Sequence, residues 1–142
     1  MALPIYGSGW PNIVAGNTNN RIASSLVAVT IGGGASNNVD VSANYTTIGG
    51  GLGNIVSAQK GTIGGGGRTV DNDAGSGNSI TDEFGTVGGG GNNQAGDNAG
   101  SVTDAGYATV GGGMNNTASG ARAVVAGGNG NTALGEIGRA HV

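Results

Sequence analysis

The sequence contains no cysteine, and its 142 residues include only two prolines, one Trp, three Tyr and one Phe. The absence of cysteine excludes disulfides, thiol catalysis and cysteine-based metal sites. With so few aromatic residues the chain cannot build a thick core of large side chains. These absences argue against an ordinary globular enzyme.

Charge and long apolar segments are also scarce. Charged residues make up 9% of the chain, the net charge is −3, and the five basic residues are spread singly, so no nucleic-acid surface is predicted. No apolar run approaches the roughly 20 residues that cross a bilayer, and the first residues do not resemble a signal peptide. We therefore expect no nucleic-acid partner and no membrane insertion by this segment.

Glycine, in contrast, is abundant, with 34 residues, and it belongs to a repeat. Six copies have a β-branched residue, then an Ile or Val, then a run of glycines, and five of these six have an Asn six positions after the Ile or Val. A degenerate copy without the glycine run precedes them at Val14. We name the Ile or Val the anchor; the anchors are Val14, Ile31, Ile48, Ile63, Val87, Val110 and Val125. The paired positions are Asn20, Asn37, Asn54, Asn93, Asn116 and Asn131, with Thr69 predicted at this place in the fourth copy and Asp71 two residues later, where the other copies have an apolar residue.

Successive anchors are separated by 17, 17, 15, 24, 23 and 15 residues. The short spacings suit one circuit of a β-solenoid, in which glycine and asparagine allow tight turns. The periodic apolar positions argue against the disorder that a Gly-rich composition otherwise suggests. The sequence predicts an all-β roll or solenoid of about seven coils over residues 14–142, with these candidate core and assembly residues: Ile31, Ile48, Ile63, Val87, Val110 and Val125.

Residues 1–13 contain both prolines and the only tryptophan. Because neither proline suits a central strand, this segment is predicted to be an N-terminal cap or an arm that docks on a neighbouring molecule. As a cap, Trp10 would lie over the first coil. At the other end, Val142 follows Val125 by 17 residues, so a further coil is expected to begin there.

The two long spacings predict insertions near residues 70–83 and 97–106. Insertions in repeat arrays emerge as loops, where binding surfaces are commonly built. They contain six of the eight acidic residues, which are the candidate receptor-binding residues: Asp71, Asp73, Asp82, Glu83, Asp97 and Asp104. The first insertion is faintly similar to a calcium loop but lacks the terminal Glu, so no metal or cofactor is predicted, and a solvated acidic loop is the alternative.

Two other periodic sets have alternative interpretations. Tyr45, Phe84 and Tyr107 each precede an anchor by three residues and are expected to pack, either between subunits or as a shallow outer contact. One threonine per coil could form an outer array, but a single threonine, replaced by Val124 in the last coil, does not favour an ice-binding face. The glycine runs lack the Lys-Ser/Thr of a phosphate loop, and His141 has no partner, so catalysis is not predicted.

Residues 108–135, ATVGGGMNNTASGARAVVAGGNGNTALG, resemble the head repeats of trimeric autotransporter adhesins, the YadA-type head, which also occur in phage tail-fibre-like proteins. The resemblance extends over about residues 14–142. It implies a left-handed parallel β-roll, a side-by-side homotrimer, and attachment to a surface receptor or glycan from the cell surface, the extracellular space or a virion fibre. The acidic insertions are not part of the family's basic repeat.

Association also follows from the thin core, because a coil of about 15 residues offers few apolar inward positions and a trimer would cover a second face. The competing hypothesis is a self-assembling filament or spacer without a ligand, whose ends stack on further copies.

Overall fold

The computed structural model describes residues 3–6, 10–70, 72, 73 and 75–135. Regular secondary structure in these residues is entirely β, as predicted, and they contain no helix that could span a membrane. The strands are β1 Leu3–Tyr6, β2 Pro11–Val14, β3 Arg21–Ile22, β4 Thr30–Ile31, β5 Asn38–Val39, β6 Thr47–Ile48, β7 Ile55–Val56, β8 Thr62–Ile63, β9 Ser79–Ile80, β10 Thr86–Val87, β11 Gln94–Ala95, β12 Thr109–Val110, β13 Thr117–Ala118, β14 Val124–Val125 and β15 Thr132–Ala133.

The strands form two sheets that run the length of the stack. Sheet A has the order β1-β2-β4-β6-β8-β10-β12-β14, and sheet B has the order β15-β13-β11-β9-β7-β5-β3. Apart from β1, all neighbours are parallel, and the anchors pair directly with one another, for example Ile31 with Ile48. Each coil gives one strand to each sheet, so the described residues form seven coils. The predicted solenoid-like arrangement of parallel strands is confirmed.

A third row of contacts runs along the glycine-rich corner between sheet A and sheet B. It consists of single parallel bridges between successive coils, formed by Ala35, Leu52, Gly67, Gly91, Met114 and Asn129. We name this row the glycine corner. Here a backbone N–H group of each coil donates to a carbonyl group of the next coil, as from Leu52 N to Gly66 O at 3.0 Å.

The core lies between the two sheets and is closed within one chain. Alternation along each two-residue strand sends its second residue inward and its first outward. Ile31, Ile48, Ile63, Val87 and Val110 have 0% exposure, and Val125 has 7%. The sheet B partners Val39, Val56, Ile80, Ala95 and Ala118 are also buried. A neighbouring copy is therefore not needed to bury these side chains, which removes the thin-core argument for a trimer.

The buried asparagines stack from coil to coil and form a hydrogen-bonded ladder, with one correction to the positions that the repeat predicted. Asn37 accepts hydrogen bonds through Oδ1 from both N and Nδ2 of Asn54, at 3.0 Å each. The fourth coil contributes Asn78, not Thr69, because Asn78 Oδ1 accepts from N and Nδ2 of Asn93. Asn54 Oδ1, which faces this coil, has no hydrogen-bond partner in the described part of the chain. The ladder is thus interrupted where the first insertion enters the stack.

The position of Asn78 in the ladder also changes the bounds of the first insertion. Ser79 and Ile80 form β9, in register with Ile55 and Val56 of the preceding coil. The inserted segment is therefore residues 68–77, between the glycine corner and sheet B, and not residues 70–83. The second insertion lies between β11 and β12, in residues 96–108, and includes the predicted residues 97–106. We name these segments loop 1 and loop 2.

The N-terminal segment adds a hairpin to the stack. Strand β1 pairs antiparallel with β2, with Leu3 opposite Val14 and Tyr6 opposite Pro11, and so covers the edge of sheet A. Pro11 is the first residue of its strand, a position that tolerates the missing N–H group. The boundary between residues 13 and 14 falls inside β2. Trp10 is 60% exposed and does not lie buried over the first coil as the cap interpretation required. Residue 142 lies outside the described residues.

Candidate functional site

The two loops border opposite ends of the outer face of sheet B. Loop 1 precedes β9 and lies beside the outward side chains of Ile55 and Ser79. Loop 2 follows β11 and lies beside Ser57 and Thr81, which continue the outward rows of β7 and β9 past the strand ends. The two insertions therefore leave the stack at different corners but flank one surface. That surface is the candidate functional site.

Loop 1 is held by turns of its own backbone. Thr69 N donates to Ser76 O at 3.3 Å, which closes the loop at its base. Asp73 Oδ1 accepts from Gly75 N at 2.9 Å, and Ser76 N donates to Asp73 O at 3.2 Å. Asp73 remains exposed, as expected for a residue that could contact a receptor. Asp71 lies outside the described residues.

Loop 2 is fastened by one buried carboxylate. Asp82 Oδ2 accepts from Asp97 N at 3.0 Å and from Thr81 Oγ1 at 3.1 Å, and its Oδ1 accepts from Ala105 N at 3.4 Å. Both ends of the loop are thus tied to the same side chain. Asp82 is only 1% exposed, so it cannot meet a receptor directly and was wrongly included among the receptor-binding residues. It positions loop 2 instead.

The other acidic residues of this region remain at the surface. Asp97 is half-buried, and its Oδ1 accepts from Ala99 N at 2.8 Å. Asp104 is exposed, and its Oδ2 accepts from Ser101 N at 3.3 Å. Glu83 is half-buried and joins loop 2 through its backbone, with its N–H donating to Val102 O at 2.7 Å. The carboxylates of Glu83, Asp97 and Asp104 are the accessible negative charges around loop 2.

Three of these carboxylates converge. Oxygen atoms of Asp82, Asp97 and Asp104 lie within 4.8 Å of one another, an arrangement that the sequence analysis did not foresee. Hard cations prefer such oxygen ligands, but the Asp82 oxygens already accept hydrogen bonds from loop 2, and acidic groups often meet at surfaces without an ion. Burial raises the pKa of the Asp82 carboxyl above its usual value, the nearby charge of Asp97 adds to this, and the hydrogen bonds from Asp97 N, Thr81 and Ala105 oppose it.

The aromatic residues form a column on the outside of the stack. In six successive coils the residue three before the anchor has a positive φ of 55–62°: Ala28, Tyr45, Lys60, Phe84, Tyr107 and Arg122. The Phe84 and Tyr107 rings stack at 4.5 Å, with Lys60 Nζ 4.4 Å from the centre of the Phe84 ring. Tyr45 and Tyr107 are about half exposed. Phe84 and Tyr107 therefore pack against each other within one chain.

Two clefts lie beneath the loops. The cleft under loop 2 has a volume of about 250 Å³. Its lining consists of Ser57, Thr81, Asn98, Ala99, Gly100 and Val102. The cleft under loop 1 has a volume of about 280 Å³. Its floor is made by the outward side chains of sheet B: Ile55, Ser79, Gln94 and Thr117. Its rim is made by Asn92 and Asn115, each of which directly follows a residue of the glycine corner. Sequence reasoning missed this cleft because it depends on where loop 1 enters the stack.

No family of known proteins, no curated protein and no solved structure matches this chain.

Proposed function

We propose that this protein is a non-enzymatic attachment segment of a surface or virion fibre, which presents the outer face of sheet B to a receptor. One observation carries the proposal: both insertions flank this face, in neighbouring coils of an otherwise regular stack. Rigid scaffolds that hold loops beside a regular surface are a common way to build binding sites. The accessible acidic residues Asp73, Asp97 and Asp104 and the two clefts give this face a chemistry that the plain coils lack.

The resemblance to trimeric adhesin heads extends the proposal. By that resemblance the coils wind left-handed and three chains associate side by side at the cell surface, in the extracellular space or on a virion fibre. Support for association comes from the glycine corner, where Leu52 and Met114 line an apolar groove of about 720 Å³. Such a groove on a flat backbone surface suits the packing of another copy.

The test is surface attachment by loop-shortened variants. In one variant residues 68–77 are replaced by a single glycine, because Gly53 alone bridges the same positions in the preceding coil. In the other, residues 96–108 are replaced by the sequence of residues 119–123, which turns the same corner in the sixth coil. Beads coated with the intact chain are expected to adhere to host cells or their isolated surface material, and at least one shortened variant is expected to lose adhesion while keeping the β circular-dichroism spectrum and the thermal transition.

The alternative is a filament or spacer without a ligand. It is favoured by sheet B, in which β3 pairs only with β5 among the described strands, so that its other edge can accept a strand. Electron microscopy of the purified chain distinguishes the two hypotheses. Long filaments together with no adhesion by the intact chain would support the spacer and contradict the attachment proposal.

A further inference from the structure

The cleft under loop 1 has the composition of a site for an uncharged, hydroxyl-rich ligand. Eight described residues line it: none of these eight is charged, three carry side-chain amides and two carry hydroxyls. An amide offers both donors and acceptors, and so does each hydroxyl group of a sugar. Ile55 adds one apolar side chain to the floor, against which the C–H groups of a sugar ring can pack. From this composition we infer that the cleft binds an uncharged sugar residue of a glycan.

The polar groups of the rim are held in place before any ligand arrives. Asn92 Nδ2 donates to Asn115 Oδ1 at 2.9 Å, and Asn115 Nδ2 donates to Asn129 Oδ1 at 3.3 Å. Asn92 and Asn115 both have positive φ, at 53° and 56°, and their N–H groups bond to Gly67 O and Gly91 O. A rim with a fixed geometry loses less conformational entropy on binding.

Several polar atoms of the cleft remain available. Gln94 Nε2 donates to Gly96 O at 2.8 Å, which orients the side chain and leaves its Oε1 as an acceptor. Within the described residues no hydrogen bond occupies Asn92 Oδ1, Ser79 Oγ or Thr117 Oγ1. These atoms, together with the second N–H of Asn92, can bond the hydroxyl groups of one sugar.

The shape agrees with this assignment. Gly75 and Gly77 of loop 1 form the wall with backbone only, so no side chain from these two positions fills the space. The volume of about 280 Å³ lies just below the range of pockets for drug-sized ligands, roughly 300–1,000 Å³, and suits a smaller ligand of about one sugar ring. An anionic ligand would find no cation among the described residues of the lining and would meet the exposed carboxylate of Asp73 on the same loop.

This inference deepens the proposed function, because it names the ligand class of the attachment surface. The full chain, labelled with ¹⁵N, is titrated with neutral oligosaccharides (glucan, mannan, galactan and N-acetylglucosamine oligomers), with acidic ones (oligogalacturonate and sialyllactose), and with a library of short peptides. A neutral oligosaccharide is expected to shift the side-chain amide signals of Asn92, Gln94 and Asn115. Shifts only with acidic sugars or peptides, or shifts confined to other residues, would overturn the assignment.

Two variants with matched controls locate the site. Asn92→Gly removes the amide without backbone strain, because Gly53 and Gly130 occupy the same position with positive φ, and Ser36→Gly is its control in a coil outside the cleft. Thr117→Ala removes a floor hydroxyl, and Thr132→Ala changes the directly paired threonine of the next coil. Each cleft variant is expected to weaken sugar binding by about tenfold, the effect of one lost hydrogen bond of about 1.5 kcal/mol, and neither control is expected to change it.

The two proposals can fail separately. If the cleft variants and the intact chain bind sugars equally, the cleft is not the site, even if loop-dependent adhesion persists and the attachment function stands. If the intact chain shows no adhesion but the cleft variants lose sugar binding, the cleft assignment stands and the attachment function fails.

Discussion

At the scale of single residues, the separation of the coils depends on backbone contacts that leave no room for a side chain. Gly34 shows this best. It has φ of +73°, and a Cβ at this position would overlap the backbone of Gly51 in the next coil. Gly33, its neighbour, meets nothing within 4 Å and does not need the left-handed region. Glycine is therefore required at some positions of each run and only tolerated at others.

Substitution of these two glycines should have opposite outcomes. Gly34→Ala is expected to lower the free energy of unfolding by more than about 2 kcal/mol, because about 1–2 kcal/mol of backbone strain adds to the overlap with Gly51. Gly33→Ala is expected to change it by less than about 1 kcal/mol, with a slight gain from the less flexible unfolded chain. Urea unfolding of both variants measures this. Equal losses would contradict the role of inter-coil contact.

The asparagine ladder supplies a second requirement at the residue scale. Asn93 Nδ2 donates to Asn78 Oδ1, Gly89 O and Gly113 O, and Asn93 Oδ1 accepts from both N and Nδ2 of Asn116. Asn78, Asn93 and Asn116 are all 0% exposed, so water cannot replace a partner lost between these side chains, whereas Gly89 and Gly113 lie nearer the surface. The side chain thus satisfies the backbone of three coils at once.

Asn93→Ala is expected to lower the free energy of unfolding by about 3 kcal/mol or more, since each buried group left without a partner costs about 1–3 kcal/mol. Asn131→Ala is the matched control from the same column. Asn131 is exposed, its Nδ2 donates to Gly127 O, and its N–H to Asn116 Oδ1 survives the substitution. Asn131→Ala is therefore expected to lower the free energy of unfolding by less than about 1 kcal/mol. Similar losses for Asn93→Ala and Asn131→Ala in thermal or urea unfolding would contradict a buried ladder.

At the scale of the coil, sequence reasoning succeeded where a local pattern recurs and failed where an insertion separates its parts. The Thr-Ile or Thr-Val step marks a strand of sheet A in five coils, because a β-branched pair suits a strand wherever it stands. In the fourth coil a fixed offset from Ile63 pointed to Thr69, but loop 1 intervenes before Asn78. The better signal was the local one, since Asn78 precedes the apolar Ile80 by two residues, as Asn37 precedes Val39.

Asp82 illustrates a second reason for failure. An acid among other acids suggested a solvated loop, yet Asp82 precedes its anchor by five residues, as do the buried Leu26, Ala43 and Ala58 in other coils. Position in the coil therefore outweighed residue type. The clefts could not be predicted at all, because they depend on which corner of the coil each loop leaves.

The burial of Asp82 has a consequence for stability. Its pKa is raised in the folded chain, so the folded state holds the proton more tightly than the unfolded state. The free energy of unfolding should therefore fall as the pH rises from the ordinary carboxyl range through the raised pKa. The total loss is about 1.4 kcal/mol for each pH unit by which the pKa in the folded chain exceeds the pKa in the unfolded chain. Asp82→Asn should lose this pH dependence, because its side chain does not titrate. It should also be less stable than the wild type by about 1–3 kcal/mol at every pH, since the new amide N–H groups face backbone N–H donors of loop 2.

Urea unfolding between about pH 3 and pH 7 measures both effects. Asp73→Asn makes the same change in net charge on the exposed loop 1 and is the control. As the pH rises, the wild type should lose stability relative to Asp82→Asn. Parallel profiles for these two proteins would contradict the role of the buried carboxyl, whatever the constant difference between them.

At the scale of the whole molecule, one chain already forms a closed core, so association has to use the outer surface. The proposed homotrimer then depends on exposed apolar groups, and the glycine corner offers Leu52 and Met114 on a surface that is otherwise mostly glycine backbone, with Arg68 as the charged residue among the described lining residues of the groove. Other exposed apolar residues, such as Val41, lie away from this groove. An interface built on the glycine corner predicts that a charge placed there, but not at Val41, separates the chains.

Light scattering of the purified chain is expected to give three times the mass of one chain. Leu52→Asp or Met114→Asp is expected to give the mass of one chain, because removing a carboxylate from water in a closed interface costs several kcal/mol. Val41→Asp should leave the trimer intact. Since the core is complete in one chain, the dissociated variants should keep their β spectrum and a cooperative thermal transition. A wild-type monomer would remove the trimer without affecting the solenoid, whereas loss of the fold upon dissociation would show that the coils depend on their neighbours after all.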